Sequence, residues 1–342
     1  MPFTMDVGCP AAYGRCMPRS PNSLLKRPKQ APDRSIDVLT DVLAATRTST
    51  LIYGRMELTA PWGLEFAADG AAHLYVVARG SARLELAGKA QLILSAGDVA
   101  FLPHGERHVL RDAPRSPLHT LGQCRGDPML ETFRFGGGGA PSLLVGGRYE
   151  FRRSPLLGRL PKVIPVSAQD PQVSPWLPAT VQLLVAEATS DRPGGAVVVN
   201  RLADVLLVQA LRTAITGDQC AEQGLPALAD PPIAQALALM HQRPAEPWTV
   251  EKLASAVGLS RSGFAARFTA LVGEPPLEYL GGWRMTKAAR LLRESDESTS
   301  AVAGHVGYRS DAAFNRAFKR WEGKGPGAYR RANSPLRRSS TR

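Results

Sequence analysis

"GHVGYRSDAAFNRAFKR", residues 304–320, sets Phe314 and Phe318 four residues apart and fills the positions between them with basic and small side chains. A near copy lies upstream, for "LASAVGLSRSGFAARF" (253–268) aligns with "VAGHVGYRSDAAFNRAF" (302–318). In each, an alanine stands four residues before a glycine, Ala254 before Gly258 and Ala303 before Gly307. A new helix is expected to start near Ser260 or Ser310. Two short helices crossing at a steep angle need a small residue where they touch and a glycine able to take positive φ at the turn. The phenylalanine pairs, Phe264/Phe268 and Phe314/Phe318, then bury the inner face of each second helix. That leaves Arg261, Ser262 and Ala265 outward in the first copy, and Asp311, Ala312, Asn315, Arg316 and Lys319 in the second. Long side chains there reach base edges and phosphates, and small ones permit close approach to a major groove. One copy alone reads as an ordinary helical hairpin. Two copies, fifty residues apart at their Phe pairs, read as two DNA-reading units.

Between them runs "PLEYLGGWRMTKAARLLRES" (276–295), with Pro276 in a favourable first-turn position. About 19 helical residues span roughly 28 Å, close to the roughly 34 Å of one DNA turn. Such a helix holds two reading heads in successive major grooves. Gly281 and Gly282 interrupt it at a cost of about 1 kcal/mol each relative to alanine, which lowers its rigidity.

The charge distribution agrees with this reading. The chain of 342 residues carries a formal charge of +12, and residues 241–342 hold 18 Lys and Arg against 9 Asp and Glu. Residues 1–34 hold 6 against 2, which leaves 18 against 19 for residues 35–240. The positive field therefore sits at the two ends, as expected where one end meets a polyanion. Cys9, Cys16, Cys124 and Cys220 form no CxxC pair and have no zinc-cage or disulfide-framework spacing. No apolar run approaches the roughly 20 residues of a membrane helix, so no membrane partner and a cytoplasmic location are expected.

The length of 342 residues predicts a multidomain chain, and its strand-like and helical stretches make it α+β. Residues 1–34 read as a disordered basic arm. Residues 35–165 show a period near two, as in "ARLEL" (82–86), where Ala82, Leu84 and Leu86 face one way. Punctuated by Gly80, Gly88 and Gly97-Asp98, they predict an antiparallel β-barrel or sandwich. "GGGG" (136–139) lacks the ending of a phosphate loop and reads as a flexible connection. Residues 166–216 turn helical, with "WLPATVQLLVAEATSD" (176–191) and "AVVVNRLADVLLVQALRTAIT" (196–216) as two helices. In the second, Val198, Leu202, Val205 and Leu206 share a face while Leu207, Val208 and Leu211 lie off it, which calls for core packing, a dimer interface, or both. Residues 217–231 read as a linker, 232–333 as an all-α DNA-binding domain with two helix-turn-helix units, and 334–342 as a basic disordered tail.

Residues 249–331 resemble the DNA-binding domain of the AraC/XylS family of transcription regulators, through "TVEKLASAVGLSRSGFAARFTALVGEPPLEYL", "WRMTKAARLL", "VAGHVGYRSDAAFNRAFKR" and "GPGAYRR". "GDVAFLPHGERH" (97–108), flanked by "APWG" (60–63) and "RSPLLGRLPKVI" (153–164), is similar to the cupin sensor often joined to that domain. The resemblance implies a sequence-specific DNA-binding regulator, homodimeric, whose barrel senses a small effector, with RNA polymerase a further candidate partner. Phosphate contacts are expected from Arg261, Arg267, Arg309 and Lys319. Base readout is expected from Asn315 and Arg316, then Ser262 and Asp311, with Ser310 beside them. Many relatives carry polar or basic residues where Ala265 and Ala266 stand here, so the first unit is expected to read fewer bases.

The effector pocket candidates are His73, Tyr75, His104 and His108. Catalytic members of the cupin fold hold a metal on three histidines and a glutamate. Here His108 matches one ligand and His73 lies near the acidic ligand's place, with His104 or Glu106 as helpers, an incomplete set. No cofactor and no enzymatic activity are therefore expected. The alternative is a metal-dependent cupin enzyme, an oxygenase or isomerase, with an appended DNA-localising domain. A third reading is a ligand-independent architectural DNA binder.

Overall fold

The computed structural model describes residues 37–86, 91–120, 125–127, 132–152, 154–170, 176–190, 192–216 and 225–333. The expected arm, the tail, residues 217–224 of the expected linker and all four cysteines lie outside them.

The strands of residues 47–166, numbered β1 to β12 in chain order, form two sheets. The larger contains β1 (Arg47–Thr59), β3 (Ala72–Arg79), β6 (Val99–Leu102), β9 (Arg125–Asp127), β10 (Thr132–Gly136), β11 (Pro141–Phe151) and β12 (Ile164–Val166), in the order β12-β6-β3-β11-β1-β10-β9. The smaller contains β2 (Gly63–Phe66), β4 (Ser81–Leu86), β5 (Gln91–Ser95), β7 (His108–Arg111) and β8 (His119–Thr120), in the order β5-β4-β7-β2-β8. The sheets pack face to face as a sandwich, and no strand pairing closes them into a barrel among the described residues. Most pairs are antiparallel as expected, but β1–β10 and β2–β8 run parallel.

Period-two patterning places Ala82, Leu84 and Leu86 of β4 in the inter-sheet core, as the alternation in "ARLEL" predicts. β3 differs, for every residue from Ala72 to Val77 is buried. Its Tyr75 and Val77 face Met56, Leu58, Trp62 and Leu110 between the sheets. Its Leu74 and Val76 face a second core on the outer side. The four glycines at 136–139 are a packed turn rather than a flexible connection. A Cβ at Gly136 would lie 1.9 Å from the Thr59 carbonyl oxygen. Gly137 and Gly139 donate to the Thr59 and Ala60 carbonyls at 2.9 and 2.8 Å.

The outer core is covered by α1 (Val38–Thr46), α2 (Pro155–Gly158), α3 (Trp176–Ala188) and α4 (Gly195–Thr216). α4 buries Ala203, Leu206, Leu207, Ala210 and Leu211, leaving Val198 and Val205 exposed and Leu202 half-buried. The described end of the expected linker is structured. Leu225 and Ala227 are buried around α5 (Pro226–Ala229), and α6 (Pro231–Gln242) follows at once, capped by the Asp230 carboxylate accepting from Ile233 N.

The remaining helices are α7 (Val250–Ala256), α8 (Arg261–Val272), α9 (Pro276–Glu294), α10 (Thr299–His305), α11 (Asp311–Glu322) and α12 (Pro326–Asn333). α9 has the 19 residues the sequence predicts. Its first half, through Tyr279, Leu280 and Trp283, joins the outer core of the sandwich, which also takes in Phe264 and Phe268 of α8. Its second half, through Met285, Ala288, Ala289 and Leu292, belongs to a separate core with Phe314, Phe318 and Tyr329. The first helix-turn-helix unit is thus welded to the sandwich by apolar burial. The second is held on α9 and by polar contacts described below.

Both turn glycines have positive φ, +71° at Gly258 and +86° at Gly307, yet their surroundings differ. A Cβ at Gly258 meets nothing within 4 Å, while one at Gly307 lies 2.7 Å from the Cα of Ala245 in the α6–α7 loop. That loop is itself pinned by Arg284, whose guanidinium donates to the Pro244 and Glu246 carbonyls at 2.6 and 2.8 Å. Gly258→Ala is therefore expected to cost about 1 kcal/mol of left-handed strain, and Gly307→Ala at least about 1 kcal/mol more, because backbone must shift. Urea unfolding of the two variants measures the difference, and equal losses would remove the close approach at Gly307 as a constraint.

Candidate nucleic-acid interface and sensor site

The two units repeat each other beyond the quoted stretches. Thr249 and Ser298 cap α7 and α10, accepting from Lys252 N at 3.2 Å and Ala301 N at 3.1 Å. In the turns, Leu259 N donates to the Ala254 carbonyl and Tyr308 N to the Ala303 carbonyl, each at 2.9 Å. Ser260 and Ser310 cap the second helices. Such caps satisfy amides that a helix start leaves open. Gly273 and Gly323 end α8 and α11 in the left-handed region. Behind each helix stands an edge-on aromatic pair, Phe268–Tyr279 at 5.8 Å and Phe318–Tyr329 at 5.4 Å.

All nine predicted DNA-contacting residues are exposed, but they are not equivalent. On α11, buried Phe314 and Phe318 fix the inner side, so Ala312, Arg316, Lys319 and Arg320 fall on the opposite face. Arg309, Arg316, Lys319 and Arg320 are all exposed. Arg320 was not singled out from the sequence, although its spacing of four from Arg316 puts it on the same stripe. Asn315 and Asp311 lie toward the side of that stripe, and Ser310 is occupied in capping Ala313 N at 3.4 Å.

On α8, the corresponding face presents Ser262, Ala266, Thr269 and Ala270, with no long side chain. Arg261 pairs with Glu251 at 2.7 Å, both well exposed. Arg267 is turned toward α6, its Nε donating to Asp230 Oδ2 at 2.8 Å. It thereby ties α8 to the residue that caps α6, a pairing across 37 residues that no local pattern reveals.

The sensor candidates separate into two places. His73, Tyr75 and His108 are buried together at 1% exposure or less. The Glu106 carbonyl can only accept, so His108 Nδ1 carries the hydrogen and donates to it at 2.8 Å. Nε2 of that neutral ring then accepts from the Tyr75 hydroxyl at 2.7 Å. Phe66 stacks flat on the same ring at 4.7 Å. His73 donates through Nε2 to Asp69 at 3.1 Å, and Arg148 donates to the other Asp69 oxygen at 2.8 Å. Burial would raise the Asp69 carboxyl, but the hydrogen bonds from Arg148 and His73 outweigh it and hold it low.

These residues do not fit a metal. Both nitrogens of His108 are engaged, and Glu106 pairs with Lys162 at 3.1 Å. No group of three or more His, Cys, Asp or Glu able to hold an ion occurs among the described residues. His104 stands apart, donating to the Leu160 carbonyl at 2.7 Å. It lines a cleft of about 660 Å³ between the sandwich and α9.

The sandwich also grips the DNA-reading helices directly. Arg159, just after α2, donates to the Ala270 carbonyl of α8 at 3.0 Å. Arg152, just past β11, donates to Glu322 at the end of α11 at 2.8 Å and to the Tyr329 hydroxyl at 2.7 Å. Its guanidinium lies 5.6 Å from the Trp321 ring and 5.3 Å from the Tyr329 ring, within cation–π range. No helix of the described residues is long and apolar enough to cross a membrane.

Residues 37–216 match the cupin family, and residues 253–332 match a helix-turn-helix domain family. The chain is similar to a putative AraC-like transcription regulator of Streptomyces lividans, 34% identical over 307 residues, covering 86% of this chain and 98% of that protein. A second putative AraC-like transcription regulator, from Streptomyces antibioticus, is 34% identical over 308 residues, covering 88% and 100%. The HTH-type transcriptional regulator AlkR of Acinetobacter baylyi is 27% identical over 303 residues, covering 86% and 99%.

Burial pushes the His108 imidazole from 6.5 down to about 4, against the opposing pull of the Glu106 carbonyl. The unfolded chain therefore binds the extra proton between those values, and stability present above pH 6.5 is lost as pH falls toward 4. Burial lowers His73 as well. For one such proton the slope approaches about 1.4 kcal/mol per pH unit. Urea unfolding from pH 7 to 4.5 should show a shallower pH dependence for His108→Gln than for the parent, and parallel curves would exclude His108 as the titrating group.

Proposed function

The chain belongs to the AraC-like family of transcription regulators, with a cupin domain ahead of its DNA-binding helix-turn-helix domain, and from that premise we propose a homodimeric, effector-responsive regulator acting on operator DNA in the cytoplasm. The observation that carries the reading is the α11 face, where Arg316, Lys319 and Arg320, with Arg309 in the turn before them, stand exposed at one end of a 19-residue helix whose other end carries α8. Spanning roughly 28 Å, α9 suits two heads on one side of a duplex. The relatives named as transcription regulators favour this reading over a cupin enzyme.

The heads divide the work unequally. α11 supplies base readout through Arg316, with Asn315 alongside and Arg309, Lys319 and Arg320 on phosphates. α8 supplies close approach through small residues, with Arg261 on phosphate once its exposed pair with Glu251 yields. Such surface pairs are worth about 1 kcal/mol at most, less than a phosphate contact returns. Dimerisation uses the outward stripe of α3 and α4, where Leu183 is 51%, Val197 63% and Val205 43% exposed. The effector acts by linkage, changing DNA affinity by its own preference between domain arrangements, about 1–3 kcal/mol.

Binding of the full-length protein to its own upstream DNA, against scrambled DNA at two salt concentrations, tests the reading. Site preference with a steep loss of affinity at higher salt is expected, and salt-sensitive binding without preference would refute sequence-specific regulation. Arg316→Ala should lose about 1–3 kcal/mol of discrimination at one base pair, whereas uniform weakening on all sequences would reassign it to phosphate. Arg152→Ala should free the second unit, raising hydrogen exchange in α11 and α12 while α8 amides stay protected. Equal change in both units would contradict the separate anchoring.

A further inference from the structure

The cleft beside His104 lies where the sensor meets the DNA-reading half, and the proposed function leaves it unassigned. Its volume of about 660 Å³ falls in the range of small-molecule sites, roughly 300–1,000 Å³. Phe101 and Phe151 wall it from the sandwich, Trp283 from α9 and Trp321 from α11. Besides the Tyr279 phenol, four described side chains that can carry charge near neutral pH line it: His104, Arg152, Glu274 and Glu278. Two of these are already engaged, His104 by the Leu160 carbonyl and Arg152 by Glu322 and Tyr329. The two glutamates, Glu274 half-buried and Glu278 exposed at the rim, have no cationic partner among the described residues, so the lining carries carboxylate charge beside aromatic side chains. Burial, and then the repulsion of Glu278, raises the Glu274 carboxyl above its ordinary value, which a positive guest would relieve.

We propose that this cleft is the effector site and that its ligand is a lipophilic monocation, held by Glu274 and Glu278 at one end and by aromatic faces around its body. Aromatic rings attract cations through their negative faces, more strongly where water is excluded. A neutral or anionic guest would leave the half-buried Glu274 carboxylate further desolvated and unpaired, an unfavourable state. The position gives the ligand leverage. It touches the start of α9 and also Trp321, which neighbours the Arg152–Glu322 contact, so occupancy alters the Arg152 grip of the sandwich on the second reading unit. This assignment rests on the regulator reading and adds to it the place and chemical class of the effector.

Tetraphenylphosphonium and tetraphenylborate have the same shape and opposite charge, which makes them suitable probes. Calorimetric titration of the full-length protein should show binding of the phosphonium and none of the borate. Glu274→Gln with Glu278→Gln should weaken the phosphonium by about tenfold or more. Gly282→Leu provides a control that leaves the charges in place. Gly282 lines the cleft and a Cβ there meets nothing within 4 Å, so the larger side chain fills space without disturbing α9 and should abolish binding. The phosphonium should also shift affinity for the upstream DNA in the parent and not in the Gly282→Leu variant.

Equal binding of the borate, or undiminished binding by the variants, would overturn the site. Phosphonium binding with no change in DNA affinity would overturn its role as effector site. Failure of the unliganded parent to prefer its upstream DNA would instead sink the regulator reading, and the titration distinguishes the two.

Discussion

α9 is buried at its two ends by two different cores, and the arrangement of the molecule follows from that. Tyr279, Leu280 and Trp283 are sealed into the core that runs from the sandwich through α4 to Phe264 and Phe268. Two turns further on, Met285, Ala288, Ala289 and Leu292 are sealed into the core of the second unit. Apolar burial contributes roughly 1.5–3 kcal/mol for each large side chain, so neither end leaves its core without cooperative loss. The spacing between reading heads is thereby set by helix geometry. Gly281 and Gly282 fall within the first seat, between Leu280 and Trp283, yet a methyl there would meet nothing within 4 Å, so packing does not account for these glycines.

The unequal anchoring of the units has a thermodynamic consequence. The first shares hydrophobic core with the sandwich. The second touches the sandwich chiefly through Arg152, on Glu322, Tyr329 and the Trp321 ring. A partly buried, charge-assisted contact of this kind is worth a few kcal/mol, the same scale as an allosteric coupling. The more basic exposed face therefore sits on the unit with the weaker attachment to the sandwich. Inside the sandwich the position is reversed, since His73, Tyr75 and His108 have their polar groups matched within the cluster and stiffen the fold.

Much of this was legible in the chain. The alanine-to-glycine spacings, the Phe pairs and the run from Pro276 specify two helical hairpins and their connector, because turn sterics and the 3.6-residue period are local properties. The alternation in "ARLEL" placed β4 correctly for the same reason. β3 was less legible, because a strand buried on both faces loses its polar alternation. The glycine run at 136–139 misled because composition records conformational freedom and not the Thr59 and Ala60 backbone packed against it. Arg320 was within reach of the same helical spacing that indicated Arg316.

What the sequence determined by itself was the double helix-turn-helix half, its connector of 19 residues and the basic end of the chain, all governed by interactions within a few residues. Only the tertiary structure decided which arginines are engaged within the protein. Arg267 lies against Asp230, 37 positions away, and Arg152 against Glu322, 170 positions away. It also decided that three of the four sensor candidates close on one another while His104 opens onto a cleft with Glu274 and Glu278. Those pairings depend on which surfaces meet when two cores share one helix, and distance along the chain carries no record of that.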